Sequence, residues 1–150
     1  MYTKPLTEIT KKHGISIMLY ADDTQLYCAF DPKDSMEAKK RMEACIEEIR
    51  SWMRDNFLKL NDSKTEFIVF GTPHDLRNVS ECKITVGEQE VLPSMTVRNI
   101  GPMLDSELTM ETQINKVKKS CYLHIRNIFR IRKYLTEEAT KTLMQAFVTS

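Results

Sequence analysis

Two adjacent carboxylates, Asp22 and Asp23, follow Tyr20 and Ala21 between two apolar, alternating segments. Side by side they repel, and a bound cation relieves that repulsion best. Hard oxygen donors of this kind suit a divalent ion such as magnesium. In two-metal phosphoryl transfer, such ions activate an attacking hydroxyl and stabilise the leaving oxygen. A further carboxylate is then needed to bridge ions ~3.5–4 Å apart. On residue chemistry alone the pair is also compatible with a solvated turn, because Asp is common in turns. Lys64, in the turn Asn61-Asp62-Ser63-Lys64, is a second candidate: a cation that can face either a phosphate or solvent. The third is a run of cations with no acidic residue between Thr112 and Thr136: Lys116, Lys118, Lys119, Arg126, Arg130, Arg132 and Lys133. Phosphate backbones are bound through such residues, although a solvated basic face has the same composition.

The carboxylates need a rigid support, and alternation supplies one. Ile15, Ile17 and Leu19 ascend and Leu26, Cys28 and Phe30 return, which predicts a β-hairpin with Asp22-Asp23 as its turn. Asp31-Pro32 breaks the second strand, and Asp34 or Ser35 can cap a helix running to about Asn56. Its apolar face carries Met42, Cys45, Ile46, Ile49, Trp52 and Met53, so the helix belongs to the core. Leu58 to Lys64 predicts a strand end and turn, and Thr65 to Phe70 a strand closed by Gly71-Thr72-Pro73. Cys82 to Val86 and Val91-Leu92 predict two short strands joined at Gly87-Glu88. Thr96 to Ile100 predicts another, ended by Gly101-Pro102. From Met110 the period becomes helical, with Ile114, Val117, Cys121, Ile125, Ile128 and Phe129 as the apolar stripe. Thr136 with Glu137 and Glu138 starts a last helix carrying Ala139, Leu143, Ala146 and Phe147. Strands and a helix followed by a helical region make the fold class α+β.

At 150 residues and 17.5 kDa the chain fits one domain or two small lobes. The net charge of +1 hides a segregated distribution, acidic from Asp31 to Glu48 and basic after Thr112. Cys28, Cys45, Cys82 and Cys121 form no CxxC pair, so neither a zinc site nor a disulfide framework is indicated. Free thiols imply a reducing compartment, hence an intracellular setting, nucleus or cytoplasm. His13, His74 and His124 are isolated and take no ligand role. The segment Thr3 to His13 is polar and charged, unlike a signal peptide, and no run reaches transmembrane length.

Tyr20-Ala21-Asp22-Asp23, followed by Thr24-Gln25-Leu26-Tyr27, resembles the YADD box of reverse transcriptases. More narrowly it is similar to LINE-type retrotransposon enzymes, those without long terminal repeats. Further stretches fit the same family in order. Trp52-Met53 through Asn56, Leu58-Lys59-Leu60-Asn61 and Lys64-Thr65-Glu66 resemble its next motif. Ile84-Thr85-Val86-Gly87 through Val97, Asn99, Ile100-Gly101 and Leu104-Asp105 resemble its primer-gripping hairpin and the segment after it. Ile114 to Leu135 resembles its helical thumb, and Tyr2-Thr3 with Pro5-Leu6 the stretch before the hairpin. The resemblance covers the whole chain.

The resemblance implies a partial polymerase palm over residues 1–105, with a primer-grip-like hairpin, and a truncated helical thumb over residues 106–150. Asp22 would ligate metal, with Asp23 its neighbour in the motif. Tyr20, Ala21 and Asn61 would lie near the primer end or the nucleotide. Lys64 would sit beside the nucleotide phosphates and help protonate the departing pyrophosphate. The basic helix would grip an RNA template and DNA primer, with deoxynucleotide triphosphates as substrates and two Mg2+ ions in the parent enzyme. The family also has an upstream palm strand bearing another catalytic Asp, and no aspartate precedes Asp22 here. Weak or absent magnesium binding and no polymerase activity are therefore expected of these 150 residues alone. A non-enzymatic nucleic-acid-binding module using the basic helix is the alternative. Pro102 departs from the family pattern in the turn after the primer grip.

Overall fold

The computed structural model describes residues 3–21, 23–79 and 82–149, apart from the side chain of Thr3. Asp22 lies outside the described residues. The chain forms two compact units, Met1–Val97 and Arg98–Ser150, and its mixed helices and short strands are α+β.

In the first unit, helix α1 (Thr3–Lys12) precedes the hairpin of β1 (Ser16–Tyr20) and β2 (Asp23–Tyr27). Helix α2 (Ser35–Asp55) follows, then the short α3 (Pro73–Asn78) and a second hairpin, β3 (Ile84–Val86) with β4 (Gln89–Val91). Strand β5 (Thr96–Arg98) carries the chain to the boundary between the units.

Helix α2 organises this unit because it is apolar on two sides. One side meets Leu6 of α1, Ile15, and Ile17, Leu19 and Leu26 of the first hairpin, through Cys45 and Ile49. The other, through Ile46, meets Ile84 and Val86 of β3 together with Leu60, Phe67 and Val91. At about 25 cal/mol per Å2 of apolar surface removed from water, such burial is the main force holding the short hairpins in place. Helix α2 ends at Asn56, where Phe57 takes a left-handed φ of 57° and Leu58 N–H donates to the Met53 carbonyl at 2.8 Å. That bond closes the orphan carbonyls of the last turn.

Three readings of the sequence need correction. Helix α1 was not anticipated, because its polar residues hide a stripe: Leu6, Ile9 and Thr10 recur at helical spacing, and Leu6 and Thr10 are buried. Its C-terminal end is pinned to α2 by Glu48, which accepts from Lys12 Nζ at 2.9 Å and lies 2.7 Å from His13 Nε2. The expected strand over Thr65 to Phe70 reduces to one bridge, Phe67 to Pro93, with Ser94 N–H donating to the Phe67 carbonyl at 2.7 Å. Pro93 has no N–H to extend the ladder. Thr72-Pro73, read as a simple stop, instead opens α3: the Thr72 hydroxyl accepts from Asp75 N–H at 3.2 Å, and Pro73 needs no donor in the first turn.

The second unit holds β6 (Met103–Asp105), helix α4 (Glu111–Ile131) and helix α5 (Glu137–Met144), which ends in one wide turn over Gln145–Thr149. Asp105 fixes the start of α4. Its carboxylate accepts from Thr109 N–H at 2.8 Å and Met110 N–H at 2.7 Å, across a loop where Leu108 and Met110 both have positive φ. These donors to the charged form hold the Asp105 carboxyl below its usual range. The Thr136 hydroxyl caps α5 as its sequence predicts, accepting from Ala139 N–H at 3.2 Å.

Candidate functional site

The first hairpin is antiparallel, with Ile17 opposite Leu26, Leu19 opposite Thr24 and Tyr20 opposite Asp23. Residues opposite one another share a face, so Ile17, Leu19 and Leu26 turn to the core while Met18, Tyr20, Asp23 and Tyr27 stand on the solvent side. Asp23 is therefore a strand residue in the ladder and not half of a two-residue turn, as the sequence reading had it. The register decides this, because Tyr20 pairs with Asp23 and Leu19 with Thr24. The left-handed conformation falls on Ala21, at φ 53°. Tyr20 is 59% exposed and Asp23 is exposed beside it, both on the same open face.

Asn61 and Lys64 belong to the segment after α2, where Asp62–Lys64 forms a single tight turn. Both side chains are exposed, and Ser63 Oγ donates to Asn61 Oδ1 at 2.8 Å. Among the described residues no hydrogen bond or ion pair joins either of them to Asp23.

What holds their turn is a device that the sequence did not announce. Arg50 of α2 donates through Nη2 to Asp62 Oδ2 at 2.8 Å, and this partner holds the guanidinium above its ordinary pKa. The same guanidinium lies against Gly87 in the turn of the second hairpin, where a Cβ would overlap it. Gly87 also has a φ of +63°, a conformation that L side chains rarely adopt. Arg50 thus ties the Asn61–Lys64 turn to helix α2 beside Gly87 of the β3–β4 turn. The legible signal was Gly87 itself, which the sequence marks as a turn but not as a seat for a side chain.

In the second unit, Lys116, Lys118, Lys119, Arg126, Arg130, Arg132 and Lys133 are all exposed. Lys116, Lys119, Arg126 and Arg130 lie along one stripe of α4, at alternating spacings of three and four residues with Leu123 between. None of the cations of α4 meets a carboxylate among the described residues. The expected apolar stripe is only partly covered: Ile128 is buried and Cys121 half-buried, whereas Ile114, Val117, Ile125 and Phe129 are exposed. Within this unit β6, α5 and the turn after α5 pack on α4, and Met103 N–H donates to Gln113 Oε1 at 2.9 Å.

A divalent ion suits the hard oxygens of Asp23, but one exposed carboxylate does not retain such an ion. Among the described residues no group of three or more His, Cys, Asp or Glu side chains is placed to hold a metal. The described donors therefore do not make a complete metal site. An open groove of about 350 Å3 between α1 and α2, lined by Pro5, Glu8, Ile9, Lys12, Glu48 and Trp52, contains none of the expected site residues. No described helix is long and apolar enough to cross a membrane.

Compared with known families, residues 1–123 match the model of the reverse transcriptase (RNA-dependent DNA polymerase) family. No curated protein and no solved structure matches the chain.

Proposed function

Since the chain belongs to the reverse transcriptase (RNA-dependent DNA polymerase) family, we propose that it represents the palm and thumb portion of a LINE-type retrotransposon enzyme. The family carries RNA-templated DNA synthesis, with nucleic acid and nucleotides as its substrates, and its enzymes generally use divalent metal ions. The observation that supports the narrower reading most is the hairpin that ends in Tyr20 and Asp23, within the matched residues and followed in order by the Leu58–Lys64 segment.

In this reading Asp22 and Asp23 contribute carboxylates to the magnesium ions of the parent enzyme. Magnesium held there would supply the charge that activates a primer hydroxyl and stabilises a leaving pyrophosphate. Tyr20 and Ala21 border the primer end. Asn61 and Lys64, on the turn tied by Arg50, face the incoming nucleotide, where Lys64 can donate a proton to pyrophosphate. The palm spans residues 1–105 and the thumb residues 106–150. The stripe of Lys116, Lys119, Arg126 and Arg130, with Lys118, Arg132 and Lys133 beside it, grips the backbone of the RNA template and DNA primer. The sequence has no aspartate before Asp22, so these 150 residues by themselves do not supply a bridging Asp from that side. We accordingly assign them binding without synthesis. Four free cysteines support a reducing, intracellular setting.

Binding of a primer–template duplex across a salt series tests the thumb assignment. Each phosphate contact contributes about −0.9 to the slope of log K against log salt. Neutralising Lys116, Lys119, Arg126 and Arg130 to Gln should flatten that slope by about 3 to 4. A slope unchanged by those four substitutions removes the assignment.

A further inference from the structure

Helix α4 leaves more than its cations uncovered. Tyr122 is 68% exposed and Phe129 74%, and Ile114 and Ile125 are also open. Spacings of four, four, three and four residues place Ile114, Lys118, Tyr122, Ile125 and Phe129 along a single ridge. This ridge is distinct from the side that α5 covers. There Cys121 Sγ lies 3.8 Å from the Val148 carbonyl, and the His124 ring stacks on Phe147 at 5.1 Å. The ridge adjoins the basic stripe, with Lys118 inside it and Lys119 and Arg126 along its border.

A partner covering this surface must bring flat apolar area and negative charge together. A protein helix packed by its apolar face would bury Lys118 and face a border of cations without acidic counterparts. Nucleic acid bases supply the flat area, and phosphates supply the charge. The ring of Tyr134 already carries the Lys133 ammonium, 4.8 Å from its centroid, so Tyr122 and Phe129 are the open platforms. Seven residues of helix separate them by about 10.5 Å, close to three stacked base steps of about 3.4 Å.

We propose that Tyr122 and Phe129 form a stacking platform for unpaired bases of a single-stranded nucleic acid whose phosphates lie along Lys118, Lys119 and Arg126. This rests on the nucleic-acid reading of α4 and adds what a grip on a duplex backbone does not require. In a duplex the bases are stacked on one another, and only an unpaired strand offers their faces to protein rings.

The test is fluorescence anisotropy with a labelled oligoadenylate and, separately, a labelled primer–template duplex. The proteins are the 150-residue chain, its Tyr122→Leu/Phe129→Leu variant and its Lys119→Gln/Arg126→Gln variant. Leu keeps apolar area and helix propensity but removes the π face, and both sites are exposed, so far-ultraviolet circular dichroism should not change. The Leu pair should weaken oligoadenylate binding about fivefold or more and duplex binding by less than about twofold. The Gln pair should weaken both. Tyr122→Trp, which enlarges one ring, should tighten the single strand. Wild-type oligoadenylate affinity in the Leu pair overturns the platform while leaving the thumb assignment standing. Insensitivity to the Gln pair as well removes both. If the Leu pair instead converts a sedimenting dimer to monomer with no change in oligoadenylate binding, the ridge serves self-association and the platform is wrong.

Discussion

Replacing Gly87 by Ala should unfold the first unit at markedly lower temperature, for two separable reasons. At φ +63° a non-glycine residue costs about 1–2 kcal/mol. The new Cβ also overlaps the Arg50 guanidinium, the far end of a flexible side chain, which must swing aside and loosen its bond to Asp62 at a cost of about 0.5–1.5 kcal/mol. The sum, about 1.5–3.5 kcal/mol, is a sizeable share of the ~5–15 kcal/mol that holds a domain. At ~4–8 °C per kcal/mol for a unit of this size, Tm should fall by about 6 °C or more. Thermal and urea melts by circular dichroism measure it. In an Arg50→Ala background the overlap disappears, so Gly87→Ala should cost only the backbone part, about 1–2 kcal/mol. A Gly87→Ala cost below about 0.5 kcal/mol, or one that stays the same in both backgrounds, would refute the claim that Gly87 makes room for Arg50.

Other consequences concern single titratable groups. The folded-state pKa of Asp105 is depressed below the ordinary 3.8, so its support of the α4 start is present above that value and is lost as pH falls below it through the folded pKa. Corrected for the intrinsic pH dependence of exchange, the protection of the first-turn amides of α4 should fall on acidification through that window, and Asp105→Ala should abolish that change in protection. The Cys45 thiol is fully buried and its pKa is pushed up to about 11, chiefly by desolvation. It should resist a disulfide reagent at pH 8 until the first unit unfolds, whereas half-buried Cys121 reacts in the native protein. Mass spectrometry of labelled peptides reads both, and native-state labelling of Cys45 at the rate of Cys121 would contradict the packing described.

Much of the fold was legible where periodicity and burial agree. Helix α2 shows its Cys45, Ile46 and Ile49 face at helical spacing, and that face is the core. The hairpin strands were readable from alternation for the same reason. Helix α1 was not, because Lys and Glu outnumber its buried residues and only the packing against α2 selects the stripe. The strand expected at Thr65–Phe70 failed because a strand needs a partner, and Pro93 allows a single bridge. On α4 the sequence stripe promised burial, but a stripe states only what a helix could bury; within its unit α5 reaches just part of it. At the candidate site the residues were legible as chemistry, whereas their support was not. The link from Arg50 to Asp62 across Gly87 joins positions far apart in sequence, and no local pattern encodes it.

Gel analysis of a labelled DNA primer on an RNA template, with magnesium and all four deoxynucleotide triphosphates, tests the central claim most directly. The 150-residue chain should bind the primer–template and leave the primer at its starting length. Extension of the primer by this chain, abolished by Asp22→Asn, would contradict the account.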